Sequence, residues 1–471
     1  MVGASDSPGL EIEPGGGTGM KARAQLSSVI GAALVVCTAL SGCVGGSDDG
    51  FNLSNMRPAA FFKSDDAGTV AAAKDPSVPT LTAANSGEAS PIISDLISRH
   101  SVLVPGSAYA EVARAVLATS SGLAAAELRA SKMRAVARSK NWLPTIGPSI
   151  SLDALGKVAA GLLVDVALYD NGKRKAERAF AAADVEVSAV ALSQDMNDRL
   201  EEGLTLYITI SEAREKAGMA ERGLGRMREF NRVVSERVKG GASSLSDQRV
   251  VRSIISDMED EARTHREAED SARVELAALT DHATLPELNQ AMGINAPAGD
   301  AAALSVLRAE AEAKRTVAEA QAERAAMLPT LSASTILGQD KSSSVDYGGA
   351  GLGLGTSAEM EASRTRELAA AASVDKAREQ AARTAARLDS RLTALRRQER
   401  DAAGLVEQTR ANYRIFQDQF EAGQKSVMDV LNVYEQMIRE ELNHIDLKYD
   451  IALTELEIAR ISGALADGAS I

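Results

Sequence analysis

Aromatic residues are nearly missing from this chain, at 3% of 471 residues and with a single Trp. A globular enzyme of that length needs far more Phe, Tyr and Trp to fill its core. Histidine is also scarce. His100, His265, His282 and His444 share no metal-ligand spacing with one another or with cysteine, which argues against a metal site. No serine, cysteine or carboxylate constellation supplies a nucleophile or an acid–base pair, so no catalytic residue and no enzymatic activity are expected. The net charge is −13, with no basic stripe, which excludes nucleic acid as a partner. Beyond the N-terminal region no stretch is long and apolar enough for a membrane helix. If the chain crosses a membrane, it does so as a β-barrel.

What is present is 45% apolar residues, much of it alanine interleaved with Glu, Arg and Leu. That composition belongs to long helices packed closely side by side.

The two cysteines carry information by position. Lys21 and Arg23 precede the apolar stretch Val29–Leu40, which ends in Leu40-Ser41-Gly42-Cys43. A basic flank followed by about a dozen apolar residues is a secretory signal peptide. Its ending resembles a bacterial lipobox, in which cleavage leaves Cys43 as a lipidated N-terminus. On that reading the mature chain has no disulfide, and a covalent lipid on Cys43 is its one attached group. Residues 1–19 fit no signal-peptide region, so translation is expected to start at Met20. Residues 44–106, rich in Gly, Ser, Asp, Ala and Pro, read as a tether along the folded body.

From Ser107 helical spacing runs to Trp142 and stops at Leu143-Pro144-Thr145, where proline ends the helix. The event recurs at Leu328-Pro329-Thr330. A second pair of landmarks lies in VKGGASSLSD, from Val238, and FEAGQKSVMD, from Phe420. Gly241 and Gly423 are 182 residues apart, as are Ser244 and Ser426, and Asp247 and Asp429, while the two prolines are 185 apart. Collinear landmarks of this kind mark a tandem duplication.

After each Leu-Pro-Thr the period switches to alternation. Ile146, Ile150 and Leu152 share one face. Leu162, Val164, Val166 and Leu168 share another. Leu331, Ala333, Thr335 and Leu337 do the same in the second repeat, and a fourth strand is expected where Ala350, Leu352 and Leu354 alternate with glycines. Strands apolar on one side and small or polar on the other suit a membrane barrel with a wet interior. Four strands cannot close a conducting barrel, and open edges are not tolerated in lipid, so several chains must contribute.

Helix lengths complete the outline. Tyr169–Val238 and Glu359–Phe420 would each extend roughly 100 Å. Ser107–Trp142, Ser246–Leu279, Leu304–Met327 and Met428–Ser462 are about half that length. Two short helices end to end match one long one, with glycine tips at the turns. Gly203, Gly218, Gly223 and Gly225 interrupt the first long helix, where bending is expected. The expected organisation is a signal peptide at 1–43, a tether at 44–106, a first repeat at 107–280, a mid-height connection at 281–303, a second repeat at 304–465 and a tail at 466–471. The fold class is mainly α with a small membrane β-barrel.

ALYDNGKRKAERAFAAADVE at 167–186, YRIFQDQFEAGQKSVMDVLNVYEQ at 413–436 and the two Leu-Pro-Thr junctions together resemble the TolC-like outer-membrane efflux protein family, over about 107–465. The resemblance implies a homotrimer with a twelve-stranded barrel in outer-membrane lipid and an α-helical tunnel in the periplasm. It further implies docking onto a periplasmic adaptor (membrane fusion) protein and an inner-membrane RND pump or ABC exporter, in efflux or type I secretion. The sequence departs from the family at GTSAEMEASRTRE, where a Phe-Asp-Gly-Gly turn is expected.

A tip Asp in a trimer makes a ring of three carboxylates, which favours cations. Two Asp of the family's DVLD segment map to Asp429 and Asn432, the proposed gating positions. Ser426-x-x-Asp429 and Ser244-x-x-Asp247 also read as capping boxes, and both readings of Asp429 stand. By resemblance, Gly240, Gly241, Ser244, Gly423 and Ser426 form the adaptor-docking surface, although a tight turn needs glycine in any case. Trp142 stands at a barrel junction, suited to lipid headgroups or to local packing. The rival readings are a non-conducting, lipid-anchored periplasmic coiled-coil scaffold and the adaptor itself. Neither accounts for four strands in duplicated positions.

Overall fold

A computed structural model describes residues 90–470 except 121, 153–157, 285–293, 295–301, 339–341 and 349–352. The signal peptide, Met20, Cys43 and most of the tether lie outside the described residues, as does much of the connection at 281–303.

The described chain runs α1 (Pro91–Ser98), α2 (Ala108–Ala118), α3 (Leu123–Ser139), β1 (Thr145–Leu152), β2 (Val158–Tyr169), α4 (Lys173–Lys239), α5 (Leu245–Leu279), α6 (Leu304–Ala326), β3 (Thr330–Gly338), β4 (Ser342–Gly348), α7 (Thr356–Glu421) and α8 (Val427–Ile461). Helix, two strands, long helix and return helix therefore occur twice. At 67 and 66 residues, α4 and α7 each extend roughly 100 Å.

Three expectations are corrected. The helix drawn from Ser107 to Trp142 is two helices. Thr119 Oγ1 donates to the Val116 carbonyl at 3.0 Å and to the Leu279 carbonyl at 2.7 Å, while Arg199 caps the carbonyls of Val116 and Thr119. The chain then re-enters helix through Gly122 at φ +66°. The fourth strand of the sheet is Ser342–Gly348; most of the glycine-rich alternation expected to form it, residues 349–352, lies outside the described residues. Serines at 342–344 find partners on β3, including Ser344 Oγ at 2.8 Å from Ser334 Oγ. Beyond residues 349–352, Leu354–Gly355 form a turn. The tether also contains a helix, α1, capped by Ser90, with Ile92 and Leu96 buried against α3, α4 and α6.

α4 stays helical through all four glycines. Two of them permit close helix packing. A Cβ at Gly203 would stand 2.5 Å from Val116 Cγ2, and one at Gly223 would stand 2.7 Å from both Met258 Cε and Tyr434 Oη.

α4 is the central element, packed against α2, α3, α5, α6 and α8. One cluster at mid-length joins Val112, Leu204, Ile208, Leu276 and Leu456. Another near the tips joins Met227, Phe230, Val251, Phe420 and Tyr434. The last described residues close over the first ones. Val102 N–H donates to the Ala464 carbonyl at 2.8 Å, Gly468 N–H to the Arg99 carbonyl at 2.9 Å, and buried Asn197 accepts from Leu465 N–H at 2.9 Å.

Candidate conduit: sheet faces and helical tips

All four strands form one antiparallel sheet in the order β1-β2-β3-β4. The β2–β3 pairing therefore joins the two repeats. The register sets the faces. Ile146, Val164, Thr335 and Ser343 form one cross-strand row, and Pro148, Leu162 and Leu337 the next. A bulge between Ala167 and Tyr169 brings Tyr169 into line with Leu331 and Tyr347. The resulting face is apolar and uncovered, with Ile146 at 66%, Val345 at 67% and Tyr347 at 77% exposure.

The opposite face carries the row Thr145, Asp165, Ser334 and Ser344, beside Ala167, Ser332 and Asp346. Its polar groups satisfy one another in part, since Ser344 Oγ donates to Asp346 Oδ2 at 2.9 Å and Ser334 Oγ does so at 3.3 Å. β1 and β4 are edges with no partner strand among the described residues. In water, an open sheet with one bare apolar face would aggregate. Trp142, at the α3–β1 junction, is exposed.

At the far end of the long helices the chain turns twice in the same way. Gly241 (φ +73°) and Gly423 (φ +75°) occupy left-handed positions that favour glycine. Ala242 N–H bonds to the Arg237 carbonyl and Gly241 N–H to that of Val238. Gln424 and Gly423 make the equivalent bonds to the carbonyls of Gln419 and Phe420. Each is a Schellman closure. Gly240 is a helix cap at φ −81° whose counterpart is Ala422, so this turn has no conformational need for glycine there.

Both Ser–Asp pairs are capping boxes. Ser244 Oγ accepts from Asp247 N–H at 3.1 Å, and Asp247 Oδ2 accepts from Ser244 N–H at 3.0 Å. Ser426 and Asp429 repeat the exchange at 3.2 and 3.0 Å. The Ser426 backbone hydrogen bond, together with one from its hydroxyl, holds the Asp429 carboxyl below its usual range. Asp429 is therefore an ionised carboxylate at the tip as well as a cap. Asn432 lies exposed about one turn further along α8.

Sequence reasoning missed Arg237. Its guanidinium donates to the carbonyls of Phe420 at 2.6 Å and Glu421 at 3.2 Å, binding the end of α4 to the end of α7. The available signal was a basic residue in the last turn of a helix. Among the described residues no group of His, Cys, Asp and Glu gathers as a metal site, and no helix is long and apolar enough to cross a membrane.

No family model and no curated protein matches the sequence. Solved structures do match. A membrane protein from Pseudomonas aeruginosa is 16% identical, with a TM-score of 0.68 over 78% of this chain and 92% of its own. The Vibrio cholerae outer membrane protein VceC is 14% identical, with a TM-score of 0.67 over 76% of this chain and 97% of its own. The chain has the TolC-like outer-membrane channel fold. The Campylobacter jejuni CmeC outer membrane channel, 14% identical with a TM-score of 0.63, covers 76% of this chain and 86% of its own. In a TolC-like fold the four strands stand at one end of the long helices and the glycine turns at the other. That is the arrangement the duplicated landmarks imply.

Proposed function

We propose that this chain is one subunit of an outer-membrane efflux duct. Three copies close a twelve-stranded barrel from their four-stranded sheets and continue it as a helical tunnel into the periplasm. The reading is carried by the sheet, whose apolar face is bare, whose other face sets Asp165, Asp346 and several serines beside Leu163 and Ile336, and whose two edges have no partner strand among the described residues. Lipid on the first face, water on the second and neighbouring copies at both edges satisfy all three conditions at once. Cys43 carries a covalent lipid that anchors the tether to the same membrane.

The tips bearing Gly240, Gly241, Ser244, Gly423 and Ser426 dock a periplasmic adaptor protein, which links the duct to an inner-membrane RND pump or ABC exporter. Three Asp429 carboxylates form a cation-favouring constriction, with Asn432 one turn deeper. Efflux and type I secretion use the same duct, and cargo selection belongs to the pump.

The test is planar-bilayer conductance of the purified protein, with oligomer mass measured on the same sample. Discrete cation-selective steps from a three-chain particle are expected. A folded particle that never conducts, even as Asp429→Ala, would overturn the duct in favour of a periplasmic scaffold.

A further inference from the structure

The two repeats differ in charge where their helices meet the sheet. In the first repeat, residues 134–142 end α3 and lead into β1, and residues 170–178 leave β2 and open α4. Arg134, Arg138 and Lys140 on the first segment and Lys173, Arg174, Lys175 and Arg178 on the second stand against two acids, Asp170 and Glu177. The duplicated segments, 319–327 and 353–361, hold Arg324 against Glu319, Glu323, Glu359 and Glu361. Duplicate helices meet duplicate strands at both places, so packing does not call for the difference. The helix itself does not call for it either. α4 opens on Lys173-Arg174-Lys175 with no acidic residue in its first turn, although the N-terminal end of a helix favours anions and disfavours cations.

The arginines are engaged within the junction. Arg138 pairs with Glu177 at 3.2 Å, Arg178 donates to Asn141 Oδ1 at 3.1 Å, and Asn141 Nδ2 donates to the Arg174 carbonyl at 3.1 Å. Those bonds hold the end of α3 beside the start of α4. Both acids are engaged as well. Asp170 accepts from the N–H groups of Gly172 and Arg174 at 3.0 and 3.1 Å, and Glu177 accepts from Arg138 and Asn141. The lysines are left over. Lys140, Lys173 and Lys175 make no ion pair or side-chain hydrogen bond among the described residues, and Lys140 and Lys175 are exposed. In the second repeat, by contrast, Glu323 is matched by Arg366 and Glu361 by Arg364.

Position says which anion fits. Lys140 stands five residues before the first residue of β1, and Lys173 four residues after the last residue of β2. At the rise of a helix the cations from Arg134 to Lys140 and from Lys173 to Arg178 fill a band roughly 10 Å deep. That is about the depth of one layer of lipid headgroups. The band begins where the bare apolar face of the sheet ends, since exposed Trp142 and Leu143 lead directly into Ile146 on that face. An apolar surface that gives way to a shelf of lysines matches the two ends of a phospholipid, with acyl chain on one and phosphate on the other.

We propose that this shelf binds anionic phospholipid headgroups of the leaflet facing the helices, with Lys140, Lys173 and Lys175 on the phosphates and Trp142 among the headgroups beside them. Only the first repeat carries the lysines, so anionic lipid gathers at one sector of each chain rather than evenly round the sheet. The inference rests on the membrane-inserted sheet proposed above and adds a class of lipid to it.

Trp142 is the single tryptophan of the chain, so its fluorescence reports this sector alone. The test reconstitutes the purified full-length protein in vesicles of phosphatidylcholine mixed with phosphatidylglycerol, with bromine on the upper acyl chains of one lipid or the other as quencher. At low salt, brominated phosphatidylglycerol is expected to quench Trp142 with a several-fold preference over brominated phosphatidylcholine. High salt should bring the ratio toward one. Lys140→Gln, Lys173→Gln and Lys175→Gln combined should do the same, while Lys→Arg at the three positions should keep the preference. Equal quenching by the two lipids overturns the shelf and leaves the membrane-inserted sheet standing. Quenching by neither overturns both. A preference that survives the combined Gln variant overturns the assignment to these lysines. If that variant instead falls apart into single chains while the natural chain shows no preference, the lysines serve contact between copies and the shelf is overturned.

Discussion

The guanidinium of Arg237, in the last turn of α4, lies 3.9 Å over the ring of Phe420 while donating to the Phe420 carbonyl at 2.6 Å. One side chain thus caps the C-terminal end of a second long helix and covers an aromatic ring of the tip core. Phe230 completes that core, its ring centroid 5.1 Å from that of Phe420. Arg237→Ala removes hydrogen bonds made by a charged donor, each contributing about 1.5–3 kcal/mol. Faster amide exchange at residues 416–424, with the sheet end unchanged, is the expected result. Arg237→Lys should recover only part of the protection, because an ammonium lacks the planar fork.

The glycines of α4 separate into two groups that mutagenesis can tell apart. A methyl group added at Gly225 would meet nothing within 4 Å, whereas one at Gly223 would meet Met258 and Tyr434. Gly225→Ala is expected to stabilise by about 0.5–1 kcal/mol through helix propensity. Gly223→Ala should destabilise by about 1–3 kcal/mol through overpacking. Thermal unfolding of the two variants side by side decides the matter, and equal shifts would contradict the close approach.

The two sheet faces predict opposite tolerances. Leu162→Arg places a charge on the apolar face at a cost of about 2–4 kcal/mol near the bilayer midplane. Membrane-inserted protein should fall sharply in that variant. Ser334→Arg, on the polar face, is expected to insert normally. Conductance and protease protection of the inserted fraction report both outcomes.

Burial where α4, α5 and α8 meet pushes the His265 imidazole below its usual value of 6.5. Glu261 on its own helix pulls the other way, Lys216 reinforces the shift, and Asp446 and Glu212 oppose it. The fold therefore favours the neutral ring. Above about pH 6.5 neither the folded nor the unfolded state holds the proton, and this contribution is complete. As pH falls below that value the unfolded chain takes up the proton first, and stability is lost until the folded value is reached. Melting temperature should decline more between pH 7.5 and 5.5 for the natural chain than for His265→Gln.

Each capping box ties off one helix start. Ser244→Ala and Ser426→Ala are each expected to cost about 1 kcal/mol. Ser426→Ala also removes one of the hydrogen bonds that keep Asp429 acidic. A raised Asp429 pKa in that variant, read by NMR titration, would accompany the stability loss, and an unchanged value would assign the depression to the backbone alone.

Much of this was legible because helices and tips are encoded locally. Ser244, Asp247, Ser426 and Asp429 announce their caps within four residues, and the observed bounds of α5 and α8 fall within a residue of those read from them. What escaped was set at a distance. Thr119 ends α2 through a carbonyl 160 residues away on α5. β4 is placed by serine partners on β3, which a local alternation of glycines and leucines outweighed. Gly203 and Gly223 looked like flexible points, and only their neighbours on other helices reveal them as packing sites.

The sequence by itself determined that the chain is a duplicated pair of long helical hairpins interrupted by strands. Proline, glycine and the hydrophobic period act over a few residues and need no partner. Only the tertiary structure decided that the four strands join across the repeats into one sheet with a bare apolar face, and that α4 is sheathed while α7 is not. Those are properties of contacts between residues far apart along the chain, and no local propensity carries them.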